Sequence, residues 1–240
     1  MKLRKAVLII HGIAGGTYDQ EELARYLQLK RKFDVFQFTL PGHDVKDIAK
    51  ATCDEWISSA NDHIEWLIKH GYGSIYLVGH SMGGVIACYM ATKYKQVKRL
   101  VLVAPSFDHI EKEEGSLLKT LFKTPEMIQA YGVEEFLTRI NKLPFTALNE
   151  FKKLVETYQD SYKELKVPVM IVHGSQDQMV PIDSTKRLYN YLKVKKKYLE
   201  INDYYHDVFK GPKVLDIDKE ICSFLKKPKI FIKKAEIKTI

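Results

Sequence analysis

The stretch LVGHSMGGVIACYMA, residues 77–91, carries the strongest structural signal in this sequence. It begins as an apolar, strand-like run and continues as a helix-like run, with Gly79, Ser81 and Gly83 at the junction. A Gly-x-Ser-x-Gly spacing between a strand and a helix is typical of a serine on a strained turn, because the flanking positions must lack bulk there. The helix that follows directs the positive end of its dipole at the serine. We therefore predict that Ser81 is a nucleophile.

Strand-like and helix-like patterns alternate along the rest of the chain. Helical patterns lie between most of the strand-like runs, and the clearest is the apolar stripe from Trp56 to Ile68. The predicted strands are residues 5–12, 34–40, 74–80, 97–104, 167–174 and 196–202. This alternation predicts a single α/β domain over residues 1–240, with a mostly parallel sheet of about six strands and helices on both faces.

One interval is longer than a single crossover helix needs. About sixty residues separate Pro105 from Val167, and they contain several apolar groups at helical spacing. Open parallel sheets bind ligands beyond the carboxyl ends of their strands, so we predict a small helical cap, about 106–166, over the site. Most of its apolar side chains would pack the cap against the sheet, and some would line a crevice above Ser81. The candidate substrate-binding residues are Phe107, Leu121, Phe136 and Ile140.

A serine hydroxyl needs a base, and the base needs a carboxylate to orient it. On a fold of this kind the acid and then the histidine follow the serine, each after a later strand. Asp177 follows the fifth predicted strand, and His206 follows the sixth. We predict that His206 is the base and Asp177 its partner, with Asp203 and Asp207 as alternatives for the acid.

A second glycine-rich turn, LIIHGIAGGTYD at residues 8–19, follows the first predicted strand. Such turns cradle phosphates or direct backbone N–H groups at an oxyanion. The glycines at 12, 15 and 16 lack dinucleotide-loop spacing, and no Gly-Lys-Ser/Thr follows them. His11 here and His173 on the fifth strand both precede a glycine, where a structural hydrogen bond is the expected role.

Several of these motifs together carry a family resemblance. HGIAGG, LPGHD, GHSMGG, VPVMIVHGSQDQMVP and the late His206 resemble the α/β-hydrolase superfamily, and within it the small carboxylesterases and the monoacylglycerol lipase or lysophospholipase-like serine hydrolases. The resemblance covers residues 5–226. The resemblance implies an eight-stranded core in larger members. It also implies that the first predicted strand of this chain corresponds to the third strand of the family, which gives the count of six. It departs from its relatives at PGHDVK, where a second glycine is common.

The resemblance implies an activity and an oxyanion site. It implies a serine esterase that acts on carboxylic esters. Because a small cap limits the depth of the crevice, we expect a preference for short to medium acyl chains or for monoacylglycerols. Chemistry by a serine, a histidine and an aspartate needs no cofactor and no metal. The backbone N–H groups of Ile13 and Met82 would form the oxyanion hole, as the family's His-Gly-x pattern and nucleophile turn imply. The alternatives are a thioesterase, an acyltransferase or an aminopeptidase with the same residues, or a ligand-binding member without activity.

Composition and charge bear on location and partners. The 240 residues carry a net charge of +8 and three scattered cysteines, a cysteine pattern that favours a reducing compartment. The apolar run near the N-terminus is too short for a signal sequence or a membrane span, so the expected location is the cytoplasm. The tail, about 226–240, holds six lysines and one glutamate. It predicts a solvated tail or a lysine-protected edge strand, or a weak contact with anionic membrane surfaces, and no nucleic-acid motif accompanies it.

Overall fold

A computed structural model describes residues 4–43, 48–107, 143–177 and 179–240. These residues form one sheet of seven strands, every neighbouring pair of which is parallel. The strands are β1 (Arg4–Ile10), β2 (Asp34–Gln37), β3 (Tyr72–His80), β4 (Val97–Val103), β5 (Val169–Gly174), β6 (Lys196–Ile201) and β7 (Ala235–Thr239). Their order across the sheet is β2-β1-β3-β4-β5-β6-β7. The expected parallel α/β sheet is confirmed, with one strand more than the six predicted.

Six α-helices in the described residues cover the two faces of the sheet. They are α1 (Glu21–Leu29), α2 (Cys53–Lys69), α3 (Met82–Lys93), α4 (Phe145–Tyr158), α5 (Ile182–Tyr191) and α6 (Val214–Lys226). One core contains Trp56 of α2, Phe151 of α4 and Leu188 of α5, and the other contains Leu23 of α1 and Ile217 of α6. Helices therefore lie on both faces, as predicted, and neither face of the central strands is open to water.

Helix α4 lies within the range predicted for the cap, about 106–166. Its apolar stripe, which includes Phe151, Leu154 and Val155, is buried in the same core as α2 and α3. The helix therefore serves as the crossover between β4 and β5. The cap prediction now depends on residues 108–142, which lie outside the described residues.

Strand β7 comes from the lysine-rich segment at the C-terminus. It pairs with β6 from Lys196 opposite Ala235 to Glu200 opposite Thr239. Lys197 and Lys238 both bind the Glu220 carboxylate of α6, so part of the tail's positive charge is neutralised within the fold. This segment is an edge strand protected by lysines, one of the two structures its sequence suggests.

Candidate active site

Ser81 occupies the sharp turn between β3 and α3. Its backbone has φ 53° and ψ −120°, a left-handed conformation that is costly for a residue with a side chain. The turn is fixed to the neighbouring strand, because the Ser81 N–H donates to Val103 O at the end of β4 (2.9 Å). The residue itself is only 5% exposed. Strain of this kind persists only where the surrounding structure imposes it. Here the surrounding structure consists of the buried strands β3 and β4 and the helix α3.

The glycines that flank Ser81 allow an unusually close approach between backbones. A Cβ on Gly83 would overlap the carbonyl oxygens of Ile10 and His11. A Cβ on Gly79 would overlap the backbone of Gly83. The first turn of α3 therefore lies directly against the end of β1, and this contact brings the first glycine-rich loop beside Ser81.

Asp177 and His206 form a buried pair after β5 and β6. The Asp177 Oδ2 atom lies 2.8 Å from His206 Nδ1, and the His206 side chain is 6% exposed. The other oxygen, Asp177 Oδ1, accepts the N–H groups of Met179 and Val180, both at 2.9 Å. This carboxylate is therefore fixed in orientation, and it holds the imidazole with Nδ1 as the donor and Nε2 free to act as a base.

The loops after β5 and β6 are joined by backbone contacts. Gln176 N donates to Tyr204 O (2.8 Å), and a Cβ on Gly174 would overlap the carbonyl oxygens of Tyr204 and Tyr205. The carboxylate that contacts His206 is that of Asp177, whereas the Oδ1 atom of the alternative acid Asp203 accepts a hydrogen bond from the Gln176 side chain (3.2 Å). The backbone contacts thus explain how residues 29 positions apart come to share a hydrogen bond.

The two members of this pair shift each other's pKa. Burial disfavours the carboxylate of Asp177, but the charge of His206 and the hydrogen bonds from His173 and His206 outweigh it and lower the pKa of Asp177. Burial also disfavours the imidazolium of His206, but the charge and hydrogen bond of Asp177 outweigh it and raise the pKa of His206. The pair therefore favours an ionised acid beside a base that protonates more readily than a free imidazole.

His173 is a further partner of Asp177 that the sequence predicted only as structural. Its Nε2 lies 3.1 Å from Asp177 Oδ2 and 3.0 Å from Val180 O. Two acceptors at one nitrogen require that Nε2 carries the hydrogen. On the other side of the ring, Nδ1 contacts Thr185 Oγ1 (2.9 Å), which in turn contacts Tyr198 OH (2.9 Å). A buried chain of hydrogen bonds thus supports the carboxylate from the β5 side.

Ser106 is a neighbour of Ser81 that sequence reasoning missed. Its Oγ lies 3.0 Å from Ser81 Oγ, and its N–H donates to Ser81 O (3.3 Å). The residue is 2% exposed and follows the end of β4, the strand next to β3. Position at a strand's carboxyl end was the only available signal, and it does not predict which way a small hydroxyl points.

His80 links the Ser81 turn to the loop of His206. The His80 Nε2 atom lies 3.3 Å from His206 O, and the two imidazole rings are 5.1 Å apart. Burial, and then the charge of His206, lower the pKa of His80. A neutral imidazole thus holds the backbone that carries the predicted base, which places His206 beside the turn of Ser81.

The first glycine-rich loop is fixed by His11. The Nε2 atom of His11 accepts the Leu40 N–H (2.9 Å), so Nδ1 carries the hydrogen and donates to Gly12 O (2.7 Å). Burial, followed by the neighbouring His43, lowers the pKa of His11 to about 4. His11 therefore stays neutral and acts as a brace, the structural role expected from its position before a glycine.

The two predicted oxyanion donors, Ile13 and Met82, belong to segments that meet at Ser81. A Cβ on Gly12 would be 3.0 Å from Ser81 Cβ, so Ile13 follows a residue in contact with the nucleophile turn. Met82 is the first residue of α3, where backbone N–H groups have no acceptor within the helix. The arrangement can present two N–H groups to an oxygen that is bound at Ser81.

The candidate substrate-binding residues are described only in part. Phe107 is 1% exposed and its ring meets that of Tyr162 edge-on, with centroids 6.0 Å apart. Leu121, Phe136 and Ile140 lie outside the described residues. Within the described ranges, no group of three His, Cys, Asp or Glu side chains is placed to hold a metal ion.

Comparisons with known proteins bear on the family to which the chain belongs. A sequence model described as "alpha/beta hydrolase fold" matches residues 5–128, just over half of the chain, and one described as "Serine aminopeptidase, S33" matches residues 109–213. The chain is 27% identical over 203 residues to a carboxylesterase of Bacillus subtilis, covering 82% of this chain and 81% of the relative. It is 22% identical over 208 residues to a thermostable monoacylglycerol lipase of a Bacillus species, with 83% and 82% covered.

A solved structure from work on the metagenome-derived lipolytic enzymes LipS and LipT shares the fold. It superposes with a TM-score of 0.76 over 94% of this chain and 95% of its own, at 18% identity. The strained serine turn, the parallel sheet and the match of the sequence model over residues 5–128 lead to one conclusion. This chain belongs to the α/β-hydrolase fold family.

Proposed function

We propose that this protein is a serine esterase that hydrolyses carboxylic esters of short to medium acyl chains, or monoacylglycerols. Its nucleophile is Ser81, with His206 as the base and Asp177 as the acid. The observation that supports this most is the buried pair of Asp177 and His206 at the sheet edge where Ser81 holds its strained turn. The relatives named carboxylesterase and monoacylglycerol lipase support the same reaction class.

Acylation begins with a rotation of the Ser81 side chain. Its Oγ leaves Ser106 and turns toward His206 Nε2, which takes the hydroxyl proton as Oγ bonds to the carbonyl carbon of the ester. The carbonyl oxygen becomes negative and accepts the N–H groups of Ile13 and Met82. The bond to the alcohol oxygen then breaks, and His206 returns its proton to the leaving alcohol. The acyl group remains on Ser81.

Deacylation repeats these steps with water. His206 takes a proton from a water molecule while the water oxygen attacks the acyl carbon. The bond to Ser81 Oγ breaks, and Ser81 takes the proton back from His206. Asp177 stays ionised throughout, because its role is to orient the imidazole and to stabilise the imidazolium.

Acyl-chain binding is the part of this proposal that depends on the cap. Phe107, Leu121, Phe136 and Ile140 are proposed to form an apolar wall near Ser81. Such a wall holds an alkyl chain in proportion to the area it buries, at about 0.8 kcal/mol per methylene. The wall selects a chain length and does not contribute to the chemistry.

A second candidate function is favoured by one observation. The sequence model described as a serine aminopeptidase matches residues 109–213, the part of the chain that contains both Asp177 and His206. An aminopeptidase, a thioesterase or an acyltransferase would use the same three residues on a different acyl donor or acceptor. A ligand-binding member without activity would have no need of the base.

One experiment separates these candidates. A fluorophosphonate probe should label the wild-type protein and leave Ser81→Ala unlabelled, which distinguishes an enzyme from a binder. The purified protein is then assayed with p-nitrophenyl esters, acyl-CoA thioesters and aminoacyl amides. Turnover of the esters at least tenfold above the other two classes is the expected result. Faster turnover of the amides would replace the esterase with the aminopeptidase.

We also propose that the protein acts in the cytoplasm and that its basic C-terminal segment, 226–240, contacts anionic membrane surfaces weakly. The charge of that segment supports the contact. Among the described helices, none combines the length and the apolar character that crossing a bilayer requires.

A further inference from the structure

The edge of the sheet opposite Ser81, where the parallel strands begin, carries a concentration of positive charge. One groove there lies against the starts of β1 and β2 and the C-terminal ends of α1 and α6. Its charged lining consists of five cationic side chains and one carboxylate. These are Arg4, Lys5, Arg31, Lys32 and Lys226, with Asp34.

A second groove of the same character lies against the starts of β3 and β4 and the approach to β5. Its charged lining has six cationic side chains and one carboxylate. These are Lys93, Lys95, Lys98, Arg99, Lys166 and Lys229, with Glu164. Because all strands run parallel, their starts share one edge, so both grooves belong to the same side of the molecule.

Most of this charge is not neutralised within the described part of the chain. Arg4 and Asp34 form an ion pair at 2.9 Å, and it is the only one among the described groove residues. By contrast, other cations of the C-terminal region are paired, as Lys238 is with Glu220. Arg99 is buried and serves the fold instead, but the other groove cations outnumber the two carboxylates. The two grooves therefore present an excess of positive charge to an external partner.

The segment 226–231 lies between the two grooves and joins them. It contributes Lys226 to the first groove and Lys229 to the second. Directly after Lys229 it presents two apolar side chains to solvent: Ile230 is 77% exposed and Phe231 is 64% exposed. The next residue, Ile232, is buried and anchors the segment to the core. Ile230 and Phe231 therefore form an apolar tip, with Lys229 before it and Lys233 after it in the sequence.

Two cationic side chains fix the position of this tip. The Arg99 guanidinium donates to the carbonyl oxygens of Phe224, Leu225 and Lys227 at the end of α6. Lys195 Nζ donates to the carbonyls of Lys229 (2.9 Å) and Ile230 (3.3 Å). The segment is thus held by hydrogen bonds from two strands' starting ends. Its exposed side chains need little further ordering to meet a partner.

We propose that the two grooves and the segment 226–231, together called the strand-start face, dock the protein onto anionic lipid membranes. Lysine and arginine side chains bind the lipid phosphates and carboxylates, and Ile230 and Phe231 enter the interface between headgroups and acyl chains. This inference extends the membrane contact proposed for residues 226–240 to a defined face. It does not depend on the esterase reaction.

The apolar tip favours a membrane over a nucleic acid as the partner. A nucleic-acid backbone would satisfy the cations of both grooves, but it offers Ile230 no apolar surface to bury. A membrane interface accepts cations and apolar side chains together. Docking by the strand-start face also leaves Ser81, at the carboxyl ends of the strands, facing away from the bilayer. Substrate therefore reaches the site from water, and docking leaves the turnover of a soluble ester unchanged.

The test measures binding of the full chain to vesicles. Vesicles of phosphatidylcholine alone are compared with vesicles that contain 30% phosphatidylglycerol, by co-sedimentation at low salt and at 0.5 M salt. Two double variants probe the face: Arg31→Glu with Lys32→Glu in the first groove, outside the tail, and Ile230→Ser with Phe231→Ser at the tip. The control, Arg25→Glu with Lys219→Glu, makes the same charge change on the exposed sides of α1 and α6, where both cations are already paired.

The wild type should bind the anionic vesicles, bind the neutral ones at least tenfold more weakly, and dissociate at high salt. Each face variant should bind the anionic vesicles at least tenfold more weakly than the wild type, while the control stays within about twofold. Turnover of p-nitrophenyl butyrate in the same samples should match the wild type for all variants. The esterase reaction is thereby assessed separately from docking.

Three outcomes would overturn the inference. If the tip variant loses binding while Arg31→Glu with Lys32→Glu binds as the wild type does, the contact is confined to the C-terminal segment. If the control loses as much as Arg31→Glu with Lys32→Glu, the contribution of the cations follows net charge and is not specific to the groove. If a 20-nucleotide RNA binds more tightly than the anionic vesicles, and the groove variant abolishes that binding, the partner is a nucleic acid.

Discussion

At the scale of single residues, the acid that serves His206 can be identified by exchanging one functional group. Ser81→Ala should lower kcat about 10⁶-fold, because it removes the nucleophile. Asp177→Asn should lower kcat at least about 10³-fold, because the amide disturbs both the orientation and the tautomer of the imidazole. Asp203→Asn is the matched control, since its carboxylate contacts Gln176 instead. It should stay within about threefold of the wild type. The measurement is kcat for a p-nitrophenyl ester.

Two results would contradict this assignment. Ester turnover retained in a clean Ser81→Ala preparation would remove Ser81 as the nucleophile. Full activity in Asp177→Asn, combined with a large loss in Asp203→Asn, would move the acid to the other loop.

The second prediction at this scale concerns pH. His206 must be neutral to accept the serine proton, and the charge and hydrogen bond of Asp177 raise its pKa above the ordinary value near 6.5 despite burial. We therefore expect kcat/KM to rise with pH through a midpoint above about 6.5 and then to reach a plateau. Asp177→Asn should move the midpoint to lower pH in whatever activity remains. A midpoint near 4, the pKa of His11, would assign the base elsewhere.

The residues of the candidate site divide into those that a sequence reveals and those that it does not. Ser81, Asp177 and His206 were predictable because each follows a recognisable strand in a fixed chain order. Ser106 and the bond between His173 and Asp177 were not, since they depend on side-chain directions that only the packed strands determine. The chemical neighbours of a nucleophile are a tertiary property.

At the scale of elements, β7 shows where counting strands by pattern fails. Central strands such as β5 are continuously apolar because both faces are covered. Strand β7 alternates Lys, Ile and Glu with little burial, as a solvated tail would. What makes it a strand is its pairing with β6 and the shared carboxylate of Glu220, neither of which a local window of sequence contains.

Helix α6 supports a prediction about stability. Asp218 is 3% exposed, its Oδ1 has no hydrogen-bond partner in the described part of the chain, and burial followed by Glu22 raises its pKa to about 7. In the unfolded chain the same group titrates near 3.9. The stabilisation that comes from burying Asp218 in its protonated form is therefore fully present below pH 4, and it is lost as the pH rises through 7.

Replacing Asp218 with Asn should remove that loss. At pH 8 we expect Asp218→Asn to raise the free energy of unfolding by about 1–3 kcal/mol, or Tm by roughly 2–10 °C, with little change at pH 4. Asp216→Asn is the control on the same helix, because Asp216 is exposed and paired with Lys219. Thermal unfolding at both pH values measures the effect. An equal gain in the two variants would trace it to net charge instead of burial.

At the scale of the whole molecule, a parallel sheet has two edges with different chemistry. The carboxyl ends of the strands carry the turn of Ser81 and the loops of Asp177 and His206. The starts of the strands carry the two cationic grooves and the exposed tip at Ile230 and Phe231. Changes on the strand-start face can therefore alter where the protein resides without altering the reaction at Ser81.

The size of the whole chain sets the final prediction, which concerns acyl-chain length. Helix α4 belongs to the core, so the predicted cap, about 106–166, depends on residues 108–142, which lie outside the described residues. We expect a cap this small to limit the depth of the crevice above Ser81. Each methylene buried against an apolar wall contributes about 0.8 kcal/mol, or roughly a fourfold gain in kcat/KM, until the crevice is full. We expect kcat/KM to rise from acetate to butyrate, to peak near octanoate and to fall at palmitate. All four p-nitrophenyl esters are measured below their critical micelle concentrations, so that aggregation of the longer chains does not mimic the fall. A flat profile would mean that no apolar wall faces Ser81, and a profile still rising at palmitate would mean that the crevice is far deeper than a cap of this length allows.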